Sequence, residues 1–146
     1  MTPAYFDANY VFKLQVTEAG SAEVRALASS VSEIHSAAHT RAEFASAAFR
    51  KVREGFATMD EFRRLLAQFK TDVSTTTVVL LPLVDPVYDR IEAAFATAPS
   101  TLYLRAADAL HLATAAEHGF TEIYSNDRQL LAAASHFGIM GVNVIA

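Results

Sequence analysis

With 146 residues, 52% of them apolar and 19% charged, the chain is long enough to bury a continuous core and too hydrophobic to be disordered. The absence of cysteine removes disulfides, thiolate metal sites and thiol nucleophiles, and a net charge of −4 argues against a general nucleic-acid coat protein, which would be basic. The opening MTPAYFDANY has no basic segment leading into an apolar run, and no uncharged stretch of roughly 18 residues capable of spanning a bilayer follows, so the chain reads as an unprocessed cytoplasmic protein with no membrane span.

Ala4 to Phe6 is a short apolar run that ends in Asp7, and Ala8-Asn9 lead into an apolar helix from Tyr10 to Leu14. Asp7 therefore stands at a strand's carboxyl end, where it can also cap the next helix. Ser21 to Ser29 continues as helix, and Val31 to Ala37 is a second strand around Ile34. Thr40-Arg41-Ala42-Glu43 has the form of a capping box, with Thr40 as N-cap and Glu43 reaching back to its N–H. That helix runs to Arg53, Gly55 closes it, and a second box, Thr58-Met59-Asp60-Glu61, opens a helix to about Lys70. Phe44, Phe49, Phe62 and Phe69 fall at helical intervals and read as core or interface.

Val78 to Leu83 is a third strand, stopped before Asp85-Pro86, and Pro86 suits the first turn of a helix that ends near Pro99. Leu102 to Gly119 reads as one Ala-rich helix, and Glu122 to Ser125 as a fourth strand. Asn126-Asp127 turns that strand into the helix DRQLLAAASHFG, with Asp127 as N-cap, and Val142 to Ile145 is a fifth strand. Strands alternating with helices, without hairpins, imply an α/β fold with a mostly parallel five-stranded sheet covered on both faces, as one domain over residues 1–146. Ligands of such sheets bind beyond the strands' carboxyl ends, where the strand order reverses.

Asp108 is the anomaly of the Ala-rich helix, because Leu104 and Leu112 stand one turn to either side of it and place it on an apolar stripe. A carboxylate there is costly to desolvate unless a cation or a set of donors meets it, and Arg105 or His111 could pair with it. Asp7, Glu43 and Asp127 each have an ordinary role as caps, yet all fall toward one edge of the expected sheet. Close carboxylates repel, and the usual remedy is a divalent cation; oxygen-only ligands suit Mg²⁺ or Mn²⁺ better than zinc. His35, His39, His111, His118 and His136 show no zinc-protease spacing, and none is assigned to catalysis.

Four motifs, FDAN near the start, TRAEF in the first third, LRAADALHLATA later and SNDRQLLAAA near the end, resemble the PIN-domain ribonucleases, in particular the VapC-type toxins of bacterial toxin–antitoxin pairs. The resemblance spans nearly the whole chain and rests on the order and spacing of all four motifs. It implies a PIN-like three-layer domain and an acidic site of Asp7, Glu43, Asp108 and Asp127. On this reading Asp7 and Asp108 are direct metal ligands, while Glu43 and Asp127 hold a coordinated water or a second ion. Ser125 or Asn126 would assist the last acid, and Asn9 stands where many relatives have Ser or Thr, a departure from the family's pattern. Fully acidic positions imply an active enzyme.

The resemblance further implies Mg²⁺- or Mn²⁺-dependent hydrolysis of RNA, a homodimer, and a cognate VapB-like antitoxin whose tail presents an Arg or a bulky apolar side chain to the acids. Between Arg41 and Lys70, seven basic residues face four acidic ones, a local +3 in a chain of net −4. Arg41, Arg50 and Lys51 are therefore the expected phosphate contacts, while Arg105 and Arg128 are placed to lock neighbouring carboxylates. Two other readings compete. An aspartyl-phosphate phosphatase would need a second Asp where Asn9 stands, and both it and a receiver-like domain would need a lysine after Lys70, where there is none. A non-catalytic interaction module would use the acids only as caps and dock through the 41–70 hairpin.

Overall fold

Five short strands, all parallel, form the centre of the computed structural model, which describes residues 1–146. They are β1 (Ala4–Tyr5), β2 (Ile34–Ala37), β3 (Val78–Leu81), β4 (Glu122–Tyr124) and β5 (Met140–Val142). β2 lies between β1 and β3, and β4 pairs with β5. The two pieces meet at a parallel bridge between Phe6 and Tyr124, reinforced by the Asp7 N–H donating to the Tyr124 carbonyl at 3.1 Å. The spatial order is thus β3-β2-β1-β4-β5, and the order reverses between β1 and β4, at the end where Asp7 lies.

Successive residues of β1 face opposite layers, as the pleat requires. Ala4 and Phe6 join a cluster built by α1 (Ala8–Lys13), α2 (Ser21–Ala28), α3 (Thr40–Arg53) and α4 (Met59–Ser74). Tyr5 joins the cluster of the other face, built by α5 (Asp85–Thr97), α6 (Ala106–Glu117), α7 (Arg128–Ala133) and the 3-10 turn Ala134–Phe137. The architecture is the three-layer α/β arrangement that the alternation of elements predicts. In the first cluster Phe44 stacks on Phe69 at 4.3 Å, whereas Phe49 stays 46% exposed, so only part of the phenylalanine series is core. No helix is long and apolar enough to cross a membrane.

Several boundaries differ from the sequence-based expectation. β3 stops at Leu81 because Pro82 has no N–H to give to a ladder. β5 is Met140–Val142 and not Val142–Ile145, since its register follows the three residues of β4. A Cβ on Gly141 would lie 2.7 Å from the Leu131 side chain and 3.0 Å from its Cα, so the strand passes close under α7 only because this residue is glycine. The following Asn143 and Val144 leave the sheet and bind the Tyr10 hydroxyl instead, at 2.7 and 2.9 Å. β2 begins at Ile34, not Val31, and α4 continues past Lys70 to Ser74.

Two helix starts matter for the site. α6 begins at Ala106, so Leu102 to Arg105 are not helical and Leu104 does not flank Asp108 on a helical stripe. Asp108 is instead the third residue of α6, where free N–H groups and the helix dipole favour a carboxylate, with fully buried Leu112 one turn on. The expected capping box at Thr40 does not form. His39 is the N-cap of α3, and the buried Thr40 hydroxyl bonds the Ser36 hydroxyl at 2.7 Å, which in turn donates to the Phe6 carbonyl. The second box is present as expected, with Thr58 and Glu61 exchanging hydrogen bonds across the first turn of α4.

Candidate active site

Asp7 closes β1 and caps α1, accepting the Tyr10 N–H on Oδ1 at 3.0 Å. Its other oxygen accepts the Ser125 hydroxyl at 2.5 Å, and Ser125 Oγ accepts the Asp127 N–H at 2.9 Å. One buried serine at the end of β4 therefore ties the first acid to the last across the switch point. Asp7 is only 3% exposed, and burial pushes its carboxyl up to about 6, although His111 and the Ser125 hydroxyl pull it back. Asp127 caps α7 by accepting the Gln129 and Leu130 N–H groups on Oδ1, which leaves Oδ2 turned away from the helix.

That second oxygen meets Arg105, whose guanidinium lies 2.9 Å from Asp127 Oδ2 and 3.1 Å from Asp108 Oδ2. Arg105 thus bridges the two later acids from the residue just before α6. Even so, burial and the nearby Asp127 charge raise the Asp108 carboxyl above the usual range, so the protein's own cation offsets the negative charge only in part. Arg128 is exposed and makes no ion pair, contrary to the expectation that it would lock a carboxylate.

Glu43 lies in the first turn of α3, and, freed from the capping box, its Oε1 faces two imidazoles. His111 Nε2 on α6 is 2.6 Å away and His39 Nε2 is 3.2 Å away. Burial alone would raise this acid, but the hydrogen bonds from His111 and His39 outweigh it and hold the carboxyl down at about 2. His111, 1% exposed, also reaches Tyr5 Oη through Nδ1 at 2.8 Å. Sequence reasoning gives His39 no role and offers His111 only as a partner for Asp108, whereas in the structure it bonds Glu43. The spacing that mattered was not between histidines but between His111 and Asp108, three apart on one helix, a turn that faces two acids at once.

Asp7, Asn9, Glu43, Arg105, Asp108, His111 and Asp127 line one open cavity of ≈ 670 Å³, with Arg50 and Lys51 on its α3 side. The basic pair is partly engaged: Arg50 bonds Glu54 at 3.0 Å, and Lys51 bonds Glu18 at 3.0 Å, which also holds buried Lys13 at 2.6 Å. Arg41 is not there. It points into a separate hollow with Lys70 and Phe69, because it lies two residues from Glu43 on the helix, nearly the opposite face. Asn126 does not line the acidic cavity either, and its buried Oδ1 has no hydrogen-bond partner.

The ligand atoms that converge most closely, all within 4.8 Å of one another, belong to His39, Glu43 and His111; no three of the four acids come so close. At 2.6 Å the His111–Glu43 contact is a hydrogen bond already made. The acids are drawn from β1, α3, α6 and the start of α7, and they offer hard carboxylate oxygens into a cavity wide enough for water between them. With Asp7 and Asp108 raised by uncompensated burial, these residues fit a hard divalent cation.

A model of the family described as the PIN domain matches residues 4–135 of the chain. Among solved structures, FitAB bound to an IR36 DNA fragment is similar over 96% of this chain and 94% of its own, with 16% identity and a TM-score of 0.69. FitAcB from Neisseria gonorrhoeae is similar over 96% of both chains, again with 16% identity and a TM-score of 0.69. At that identity the likeness establishes a shared fold. No curated protein matches the chain in sequence. Because the family match covers most of its length, from the first strand to the helix after Asp127, the chain belongs to the PIN domain family.

Proposed function

We propose that this protein is a metal-dependent endoribonuclease and the toxin of a toxin–antitoxin pair. The observation that carries the reading is that Asp7, Glu43, Asp108 and Asp127, spread over most of the chain, line one cavity at the switch point of a parallel sheet beside Arg50 and Lys51. Mg²⁺ or Mn²⁺, when bound, supplies the charge neutralisation and the activated water that hydrolysis at phosphorus needs. Asp7 and Asp108 are the direct ligands on this reading, with Glu43 and Asp127 completing the acidic wall.

The chain's residues do the rest. Ser125 and the Tyr10 N–H hold the Asp7 carboxylate in one orientation, and Arg105 steadies Asp108 and Asp127 against each other. Arg50 and Lys51 attract the RNA backbone toward the acids, each exchanging a carboxylate partner for a phosphate. The partner is a cognate VapB-like antitoxin that places an Arg or a bulky apolar side chain against the acids, and the toxin acts as a homodimer in the cytoplasm. With a chain of net −4, any DNA contact of the kind named for FitAB would fall to that partner.

The test is cleavage of single-stranded RNA by the purified protein with and without Mg²⁺ or Mn²⁺. Cleavage should require the ion and disappear in Asp7→Asn and Asp108→Asn variants that keep the wild-type circular dichroism spectrum. Undiminished cleavage by both variants would reject the site. A separately expressed neighbouring gene product that silences the wild-type enzyme would support the toxin role, and failure of any small partner to bind would leave a nuclease without it.

A further inference from the structure

We propose that His111 is a positioning residue that acts through Glu43: braced by the Tyr5 hydroxyl, it fixes the Glu43 carboxylate in the cavity wall and so sets how tightly the acids hold a divalent ion. The inference rests on the reading that these acids form the metal centre. A glutamate in the first turn of a helix has three side-chain torsions and, with its capping box unformed, only the N-cap His39 as a partner on its own helix. What holds it is the buried chain Tyr5 Oη to His111 Nδ1 at 2.8 Å and His111 Nε2 to Glu43 Oε1 at 2.6 Å.

The direction of that chain follows from chemistry. Glu43 is ionised and can only accept, so His111 must carry a hydrogen on Nε2. The Tyr5 hydroxyl, 2.8 Å from Nδ1, completes the hydrogen bonding of the ring on its other side. The imidazole cannot swing away, because Tyr5 meets its ring edge-on at 5.8 Å and the His39 ring lies 4.2 Å from it. Tyr5 stands two residues before Asp7, so a single strand carries the first acid and the foot of the brace. His39 is the weaker support, since its Nε2 is shared between Glu43 at 3.2 Å and the Ala107 carbonyl at 2.9 Å. Groups that orient metal-binding side chains in this way typically cost about 10–100-fold in metal affinity when removed.

The experiment is Mn²⁺ titration by calorimetry of the whole chain as wild type, His111→Asn, His111→Gln, Tyr5→Phe, Glu43→Gln and the His111→Asn/Glu43→Gln double variant. His111→Asn should bind Mn²⁺ roughly 10–100-fold more weakly, while His111→Gln, whose amide reaches the place of Nε2, recovers most of that loss. Tyr5→Phe should fall between them, and His111→Asn should add nothing once Glu43 is already Gln. Wild-type affinity in folded His111→Asn, or the same loss in the Glu43→Gln background, would overturn the proposal. If His111→Asn does not fold, Tyr5→Phe decides, because it removes one oxygen and keeps the ring: unchanged affinity there overturns the brace.

Two readouts separate this idea from its neighbours. Without metal, the protected His111 imidazole N–H resonance should be present in wild type and shifted or lost in Glu43→Gln; no change would count against it. Intense visible bands of a nitrogen-ligated tetrahedral Co²⁺ would mean that the histidines are ligands and not braces, which overturns the proposal, whereas weak oxygen-type bands support it. A wild type that binds no Mn²⁺ sinks the metal-centre reading and this one together; a wild type that binds while the variants match it sinks this one alone.

Discussion

Glu43 and Asp7 line the same cavity yet are stabilised in opposite senses. Glu43 meets two imidazoles and is held at about 2, whereas Asp7, buried against a hydroxyl and a backbone N–H, rises to about 6. The first wall of the cavity is electrostatically complete within the protein, and the second is not. Asp108 belongs with Asp7, because Arg105 is 57% exposed on its side chain and its charge is screened by water. On the proposed reading an external cation has its work to do on the Asp7–Asp108 side, with Glu43 as a wall prepared in advance.

The largest effect that would break this comparison is on cleavage. Asp7→Asn and Asp108→Asn should reduce RNA cleavage by more than the roughly 100-fold that loss of a supporting group costs, read as initial rates in saturating Mn²⁺. Stability should sharpen the contrast by changing sign. In EDTA at pH 7, Asp7→Asn should stabilise the fold by up to about 3 kcal/mol, since it removes a charge the site disfavours. Glu43→Gln should destabilise it by about 1–2 kcal/mol after discounting for a half-open side chain, a fall of several degrees in Tm by calorimetry.

The pH dependence follows from the same two acids. An acid raised in the folded state contributes stability that is present below its ordinary value near 4 and lost as pH rises through about 6. On Asp7's account, metal-free protein should lose stability between about pH 4 and 6, while Mn²⁺ binding should strengthen across that window because the ion needs the ionised form. Glu43 contributes stability that is full above its ordinary value near 4.5 and lost progressively as pH falls from there through about 2, so it opposes the Asp7 slope only at the lower end of the window. Thermal melts in EDTA and in Mn²⁺ should slope in opposite directions, and parallel slopes would contradict the assignment of Asp7. The smallest effect lies far from the cavity: Thr58→Ala should cost about 1 kcal/mol by removing the cap of α4 and leave cleavage unchanged.

Legibility in sequence followed the range of the interaction. The box at Thr58 was readable because Thr58 and Glu61 have no competing partner. The identical pattern at Thr40 was not, because Ser36, four residues back on β2, takes the Thr40 hydroxyl, and His111, far along the chain, takes Glu43. Arg41 looked as available to phosphate as Arg50 and Lys51, yet the turn of one helix sends it to a different hollow. His39 and His111 carried no spacing signal, since they converge only when α3 and α6 meet at the sheet's carboxyl edge.

The residues alone determined the alternation of short strands and helices, hence a parallel sheet with its acids at one edge, because those patterns depend on neighbours a few positions apart. Only the folded chain decided which acid is stabilised by partners within the protein and which is left under-compensated by burial. That choice depends on burial and on partners more than a hundred residues away, such as Tyr5 with His111 and Asp7 with Ser125, and no local pattern encodes their meeting.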